Sequence, residues 1–501
     1  MAPQGESALH RPLLETPDED EITSAKQFFS QYAAESKKLW YLAGPAIFTA
    51  VAQYSLGAIT QVFAGHLTTL ELDAVSTENM VIAGLAFGIM IGMGSALETL
   101  CGQAYGANQL SMLGVYMQRS WVILNTTCLI LLPIYIFAYH ILRFFGEEEE
   151  ISRMAARFAL YMIPQLFAYG CNFPLQKFLQ SQSKVMTMAW ISGVAMLFHI
   201  FLSWLFIVQF QWGLPGAAAS LNISWWIVVL GQFIYILLGY CPGAWTGFTW
   251  GAFRGLGAFA RLSIASAIML CLEFWYYMLL VVLAGRLKNA EVAVAAISIC
   301  INLSGWEIMI FLGFNAAISV RISNELGAGR PRAAKFSILV VVVSAASIGI
   351  AFMALVLILR NVYPIPFTNS KEVQEVVSNL AVLFALALLL NSVQPVLSGV
   401  AVGAGWQWLV AYINLGCYYI VGLPLGFFLG SKLNLGVKGI WSGMITGVGL
   451  QTLVLTGITL ATNWKKEAAQ AESRIRKWGG VGMSKNDEEN GTENNHKPFL
   501  A

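Results

Sequence analysis

The chain has 501 residues, of which 57% are hydrophobic and only 11% charged, with 29 Lys and Arg against 27 Asp and Glu. Soluble domains carry about 25% charged residues, so a water-facing surface cannot be built from this composition and lipid must be the burial medium over most of the length. The net charge of +2 excludes a polyanion-binding surface as the main theme, because basic residues in so apolar a chain serve as loop determinants of membrane orientation; no nucleic-acid partner is expected.

Residues 1–38 are polar and acidic around Asp18, Glu19, Asp20 and Glu21 and lack the short apolar core of a signal peptide, so they read as a disordered cytosolic end. Six apolar stretches long enough to cross about 30 Å of hydrocarbon follow. They run over 39–63, 75–101, 119–144, 154–180, 186–210 and 214–239, and together form a first lobe over 39–239. A polar-punctuated segment, 240–260, reads as a cytosolic linker between lobes. Six more stretches run over 261–285, 293–322, 335–359, 375–403, 406–430 and 437–462, giving a second lobe over 261–462. Their length and lack of a two-residue alternation predict helices, not barrel strands. The final segment, 463–501, carries Lys465, Lys466, Arg474, Arg476 and Lys477 beside the membrane and is otherwise polar, so it is expected to be a second cytosolic tail. Basic residues at both ends of the membrane region favour both termini inside.

An internal repeat organises these spans. Gly106-Ala107 in CGQAYGA recurs as Gly327-Ala328 in SNELGAG at an offset of 221, and Pro174 recurs as Pro395 at the same offset. Gly65-His66-Leu67 pairs with Gly285-Arg286-Leu287 at 220, and Gly213-x-x-Gly216 with Gly436-x-x-Gly439 at 223. Four matches in order imply a duplicated half. Since each half holds an even number of spans, the halves enter from the same side and are related by an axis along the membrane normal, with a substrate path expected between them.

Acids within the bilayer are costly when charged and are functional candidates unless they reach an interface. Glu78 and Glu98 lie near opposite ends of the second span and are expected to snorkel out. Glu273 in MLCLEFWYY and Glu307 in LSGWEIMIF sit near the centres of spans seven and eight, as a proton-coupled carrier requires; the alternative is an acid that merely ties helices together. With no central acid at the corresponding places of the first half, any proton site is expected in the second.

Polar side chains align on single helix faces: Gln165, Asn172, Gln176 and Gln180 on span four, Asn391, Gln394 and Ser398 on span ten, and Gln407, Asn414 and Tyr418 on span eleven. Such rows are unfavourable against lipid, so they line either a cavity or a helix interface. For the substrate cavity we single out Gln53, Gln61, Asn172, Gln176, Tyr276, Gln394, Asn414 and Tyr418. Trp275, Tyr276, Tyr277, Phe314, Trp406 and Tyr412 offer rings to a flat solute or serve as packing. His199 in span five reads as helix packing. The seven cysteines occur singly, and there is no Walker loop, His-Glu-x-x-His or Gly-x-Ser-x-Gly, so no metal, cofactor or enzymatic centre is indicated.

Four segments carry a family resemblance: CGQAYGA (101–107), GFNAAISVRISNELGAG (313–329), QPVLSGVAVGAGWQ (394–407) and LNLGVKGIWSG (433–443). With twelve spans in two halves, the chain resembles plant multidrug and toxic compound extrusion transporters, the MATE or DETOXIFICATION family, over about residues 36–466. The resemblance implies an all-α polytopic membrane protein with 12 transmembrane helices in two pseudo-symmetric six-helix lobes around a V-shaped cavity. It also implies a proton-coupled antiporter that acts as a monomer. The family's second-lobe proton site uses an acid on span seven, matched by Glu273, and commonly an aspartate on span ten, where this chain has Asn391. Glu307 is the remaining acid and would share the proton with Glu273. The first-lobe aspartate of bacterial members has no counterpart, Thr60 and Gln61 standing in its neighbourhood.

Asn391 before SVQPVLSG, and Trp306-Glu307 before AAISVR, resemble the subgroup associated with flavonoid and proanthocyanidin-precursor transport. That implies glycosylated phenolics or similar secondary metabolites, alkaloids and xenobiotics included, as substrates. It also implies the vacuolar membrane in preference to the plasma membrane. Arg11-Pro12-Leu13-Leu14 resembles a dileucine sorting signal without the upstream acid. A tonoplast anion (chloride) channel or carrier stands as the alternative, and a membrane-embedded enzyme as the remote one.

Overall fold

A computed structural model describes residues 18, 24–65, 67–284 and 290–477, and it is helical throughout. The first group of helices comprises α1 (Ala25–Ala64), α2 (Thr69–Thr77), α3 (Gly84–Gly106), α4 (Leu110–Ile136), α5 (Ala138–Phe144), α6 (Glu149–Tyr161), α7 (Ile163–Ser181), α8 (Val185–Ser203) and α9 (Gly213–Tyr235). The second comprises α10 (Leu256–Ala284), α11 (Ala290–Gly327), α12 (Pro331–Ile358), α13 (Lys371–Ala404), α14 (Gln407–Asn414), α15 (Leu423–Phe427), α16 (Gly436–Ala461) and α17 (Trp464–Lys477). Short π-helical turns join α2 to α3 over Glu78–Ala83 and α14 to α15 over Leu415–Gly422, so each pair runs on as one rod. The sorting signal at 11–14, the Gly285-Arg286-Leu287 repeat and the chain beyond Lys477 lie outside the described residues.

Eleven of the described helices or rods are long and apolar enough to cross a membrane. The fourth expected span differs because it is two helices, α6 and α7, which break at Met162. Pro164 in the first turn of α7 starts a new helix there, having no N–H to continue the old one. The amide row of α7 lowers its hydropathy, and Gln165, Asn172, Gln176 and Gln180 are all buried, in keeping with a face turned from lipid.

The segments flanking the membrane region, 25–38 and 464–477, are more ordered than the sequence suggested. Helix α1 begins at Ala25, not near residue 39, capped by the Ser24 hydroxyl, which accepts from Gln27 N at 3.2 Å. Its extra turns carry Glu35, buried and bound to Arg321 of α11 at 2.9 Å. Asp18 accepts hydrogen bonds from Arg332 N and Ala333 N at the start of α12, an N-terminal capping arrangement. After α16, Asn463 initiates α17, whose Trp464, Ala471 and Ile475 are buried. The expected disorder therefore fails over 25–38 and 464–477, where apolar side chains at helical spacing bind the segments to the bundle.

Two separate cores follow the duplication. The larger is built mainly from α1 to α9 around Tyr116, Phe158, Phe173 and Phe178, joined by Phe259 and Ala267 of α10. The other is built from α10 to α16 around Tyr276, Phe384, Tyr418 and Trp441. A third cluster joins Leu39, Leu42, Ala43 and Val185 of the first bundle to Phe311, Phe314 and Val400 of the second, at the end where α1 begins and α17 lies. We call this end the terminal face and its opposite the far face. The linker is clamped under α4, where Gln118 Nε2 donates to Gly247 O at 2.9 Å and Gln118 Oε1 accepts from Thr249 N at 2.9 Å.

Candidate functional site

Two acids of the second bundle, Glu273 and Glu307, gather around one phenol. Tyr277, one turn after Glu273 on α10, lies within electrostatic range of both Glu273 and Glu307 and donates to Asn391 Oδ1 at 3.3 Å. Glu273 is hydrogen-bonded by Gln394 of α13, which also reaches Ser398 Oγ at 3.1 Å. Glu307 is 3% exposed and neither of its oxygens has a hydrogen-bond partner among the described residues. Three helices thus bring Glu273, Glu307 and Asn391 to one place. Tyr277 had been assigned only to stacking; the signal that could have marked it is its position four residues after Glu273, on the same helix face.

The anticipated cavity side chains scatter. Tyr276 and Tyr418 stack on each other with centroids 4.4 Å apart, inside the second bundle. The Tyr418 hydroxyl donates to Gln451 Oε1 at 2.9 Å, Gln451 donates to Asn414 Oδ1 at 2.7 Å, and Asn414 donates to Met269 O at 3.0 Å. Asn172 accepts from Gln232 at 2.8 Å within the first bundle. These four residues serve helix-to-helix ties as they stand. Gln53 donates to Ser192 Oγ at 3.3 Å, Gln61 is partly exposed, and the amide nitrogen of buried Gln176 has no partner among the described residues. A cavity of about 590 Å³ opens between α3, α4 and α10, lined by Ile89, Met93, Thr126, Ala267, Cys271 and Trp275; none of the eight anticipated residues lines it. Among the other rings, Phe314 is buried against Trp40, Trp406 stands over Trp464 of α17, and Tyr412 is exposed.

Between the bundles the duplicated glycine motifs meet each other. A Cβ on Gly106 would strike the Asn324 carbonyl, and one on Gly327 the Gln103 carbonyl, so the two helix ends cross with backbone against backbone. Gln103 Nε2 donates to Gly403 O at 3.1 Å, and Gln407 of α14 donates to Thr99 Oγ1 at 2.8 Å. The contact continues along α1 and α11 to the edge-on pair Tyr54 and Trp306, 5.3 Å between centroids, and along α3 and α10 to Gly88 and Phe274. Helix α17 overlies this junction, with Arg474 Nη2 donating to Ala404 O at 2.9 Å and Glu467 accepting from Trp406 Nε1 at 3.0 Å.

The snorkelling expected of Glu78 and Glu98 does not occur. Glu98 is 1% exposed and paired with Lys177 of α7 at 2.7 Å, a cation supplied from another helix. Glu78 is fully buried. His199 ties α8 to α1 and α9 through Thr60 Oγ1 and Ser224 Oγ, each at 2.9 Å. Among the described residues, no cluster of His, Cys, Asp or Glu could hold a metal ion.

Two helical bundles of shared architecture, joined at one face and each holding buried polar groups at membrane depth, define a polytopic carrier. The MatE family model matches residues 45–205 and 265–428. The chain is 61% identical over 474 residues to Protein DETOXIFICATION 33 of Arabidopsis thaliana, a match covering 94% of this chain and 98% of the relative. It is 58% identical to Protein DETOXIFICATION 29 of the same plant, covering 94% of each. In structure it resembles the eukaryotic MATE transporter AtDTX14 with a TM-score of 0.85 and 34% identity, covering 89% of this chain and 99% of that one. The Vibrio cholerae MATE transporter VcmN in its bent form shares the fold at a TM-score of 0.77 and 17% identity, covering 89% and 99%. The chain belongs to the MATE family of transporters, close to the plant DETOXIFICATION proteins; these move small organic substrates coupled to cations and are not enzymes.

Proposed function

We propose that this protein is a proton-coupled antiporter that moves glycosylated phenolics or similar secondary metabolites from the cytosol into the vacuole, working as a monomer with both termini cytosolic. The reading rests above all on Tyr277 standing among Glu273, Glu307 and Asn391. An acid that gains and loses a proton needs a partner for its charged form, and phenol and amide donors supply one without a fixed positive charge. Protonation of Glu273 would break its bond from Gln394, free α10 against α13 and favour release of the substrate on the acidic side. The terminal face is then the cytosolic face, with the inter-bundle junction as its closed gate. The organic substrate would meet the walls near Gln61 and Gln176, since Gln53 and Gln394, like Asn172, Tyr276, Asn414 and Tyr418, are bonded to other helices. The substrate class and the tonoplast follow from the sequence resemblance around Asn391 and Trp306-Glu307.

The test is uptake of a flavonoid glucoside into proteoliposomes under an imposed pH gradient. Wild-type protein should concentrate the solute, and Glu273→Gln, inserted at equal abundance, should abolish the gradient-driven part. Undiminished uptake by the variant overturns the proton role. Chloride current without a proton gradient overturns the antiporter reading in favour of an anion pathway.

A further inference from the structure

The first bundle contains an acid that this account leaves unused. Glu78 opens the π-helical turn between α2 and α3, nine residues or about 14 Å along the rod from its far-face start. It is 0% exposed, and both carboxyl oxygens lack a hydrogen-bond partner among the described residues. The Tyr135 hydroxyl of α4, also fully buried and without a partner, lies in electrostatic range of it, as does Tyr169 of α7. No cation faces it. The arginines of α6, the helix packed on α2, are Arg153 and Arg157; both are exposed, as are Glu149 and Glu150.

An ionised carboxylate cannot persist there without a donor, whereas a neutral acid can. The two nearby phenols are donors that the present arrangement leaves available to the charged form. A π turn carries a wider, imperfect hydrogen-bond ladder than an α-helix, and such turns recur where a helix must readjust. Near the far-face end of the span, the proton has a short way to water.

We propose that Glu78 is a proton-binding site of the first bundle, neutral in the arrangement described here and exchanging its proton with the far-face compartment as the π turn relaxes. In that step the carboxyl O–H bond breaks and the proton passes to water. The charge stays on the carboxylate, which then accepts hydrogen bonds from the Tyr135 and Tyr169 hydroxyls; neither phenol loses its own proton. The carrier would thus hold a titrating acid in each bundle, although the two sites differ in helix and surroundings.

Infrared titration of the full-length protein in lipid nanodiscs tests this, in a Glu273→Gln, Glu307→Gln background so that its outcome is independent of the second-bundle reading. A protonated-carboxyl C=O band should be present at about pH 5, fade toward about pH 9, and disappear when Glu78→Gln is added. Gln has the shape of the neutral acid, which favours normal folding of that variant. Tyr135→Phe, which keeps Glu78 but removes one donor to the carboxylate, should move the fading to higher pH by about one unit. A band that ignores Glu78→Gln, holds full intensity to the alkaline limit, or titrates identically in Tyr135→Phe overturns the proposal.

Discussion

In the first bundle Glu98 lies against Lys177 at 2.7 Å, whereas in the second Glu273 and Glu307 have only a phenol and amides around them. Both environments lie at membrane depth, yet they ask opposite things of a carboxyl group. A lysine at contact distance forms an ion pair, and the pair serves as a bolt between α3 and α7. Neutral donors leave both forms accessible, which is what a proton carrier needs. Within one backbone plan, individual acids are therefore held by different chemistry: Glu98 by a cation, Glu273 and Glu307 by neutral groups.

That contrast can be broken experimentally. Lys177→Met strands Glu98 as a buried unpaired charge and should cost about 3–5 kcal/mol, read as a large fall in thermal unfolding temperature. Adding Glu98→Gln should recover most of the loss; failure to recover would show that the pair is not a bolt. Glu307→Gln should change stability by less than about 1 kcal/mol, since an amide replaces a neutral acid of similar shape, but should flatten the dependence of transport on pH. A large stability loss there would instead make Glu307 a structural acid like Glu98. Smallest of all, Arg153→Ala removes an exposed pair with Glu149 at 2.9 Å and should shift stability by about 0.5 kcal/mol or less with transport unchanged.

Much of the architecture was legible in the sequence because lipid imposes a simple rule: long apolar runs with few charges. The repeated glycines were legible too, and the structure gives their reason, since Gly106 and Gly327 stand where two helix backbones touch. Pairings across space were harder to see. Nothing near Glu98 in the chain announces Lys177, so its burial was invisible to a reading along one helix. The helical tail could have been found from Trp464, Ala471 and Ile475, which fall on one face; the charges between them masked it. Pro164 likewise signalled the break between α6 and α7. The amide rows were correctly turned from lipid, but whether an amide faces a solute or another helix depends on what the neighbouring helix brings, as Gln451 does for Asn414.

The glycine crossing also bears on how such a carrier avoids short-circuiting the gradient it consumes. Where main chains touch with no side chain between them, there is no room for the file of water along which hydrogen ions hop. Under the proposed proton coupling, the junction of Gly106 and Gly327 with the opposing carbonyls would thus be an insulator as well as a gate. Substitutions elsewhere in the pore could retune cargo preference without making the membrane leaky.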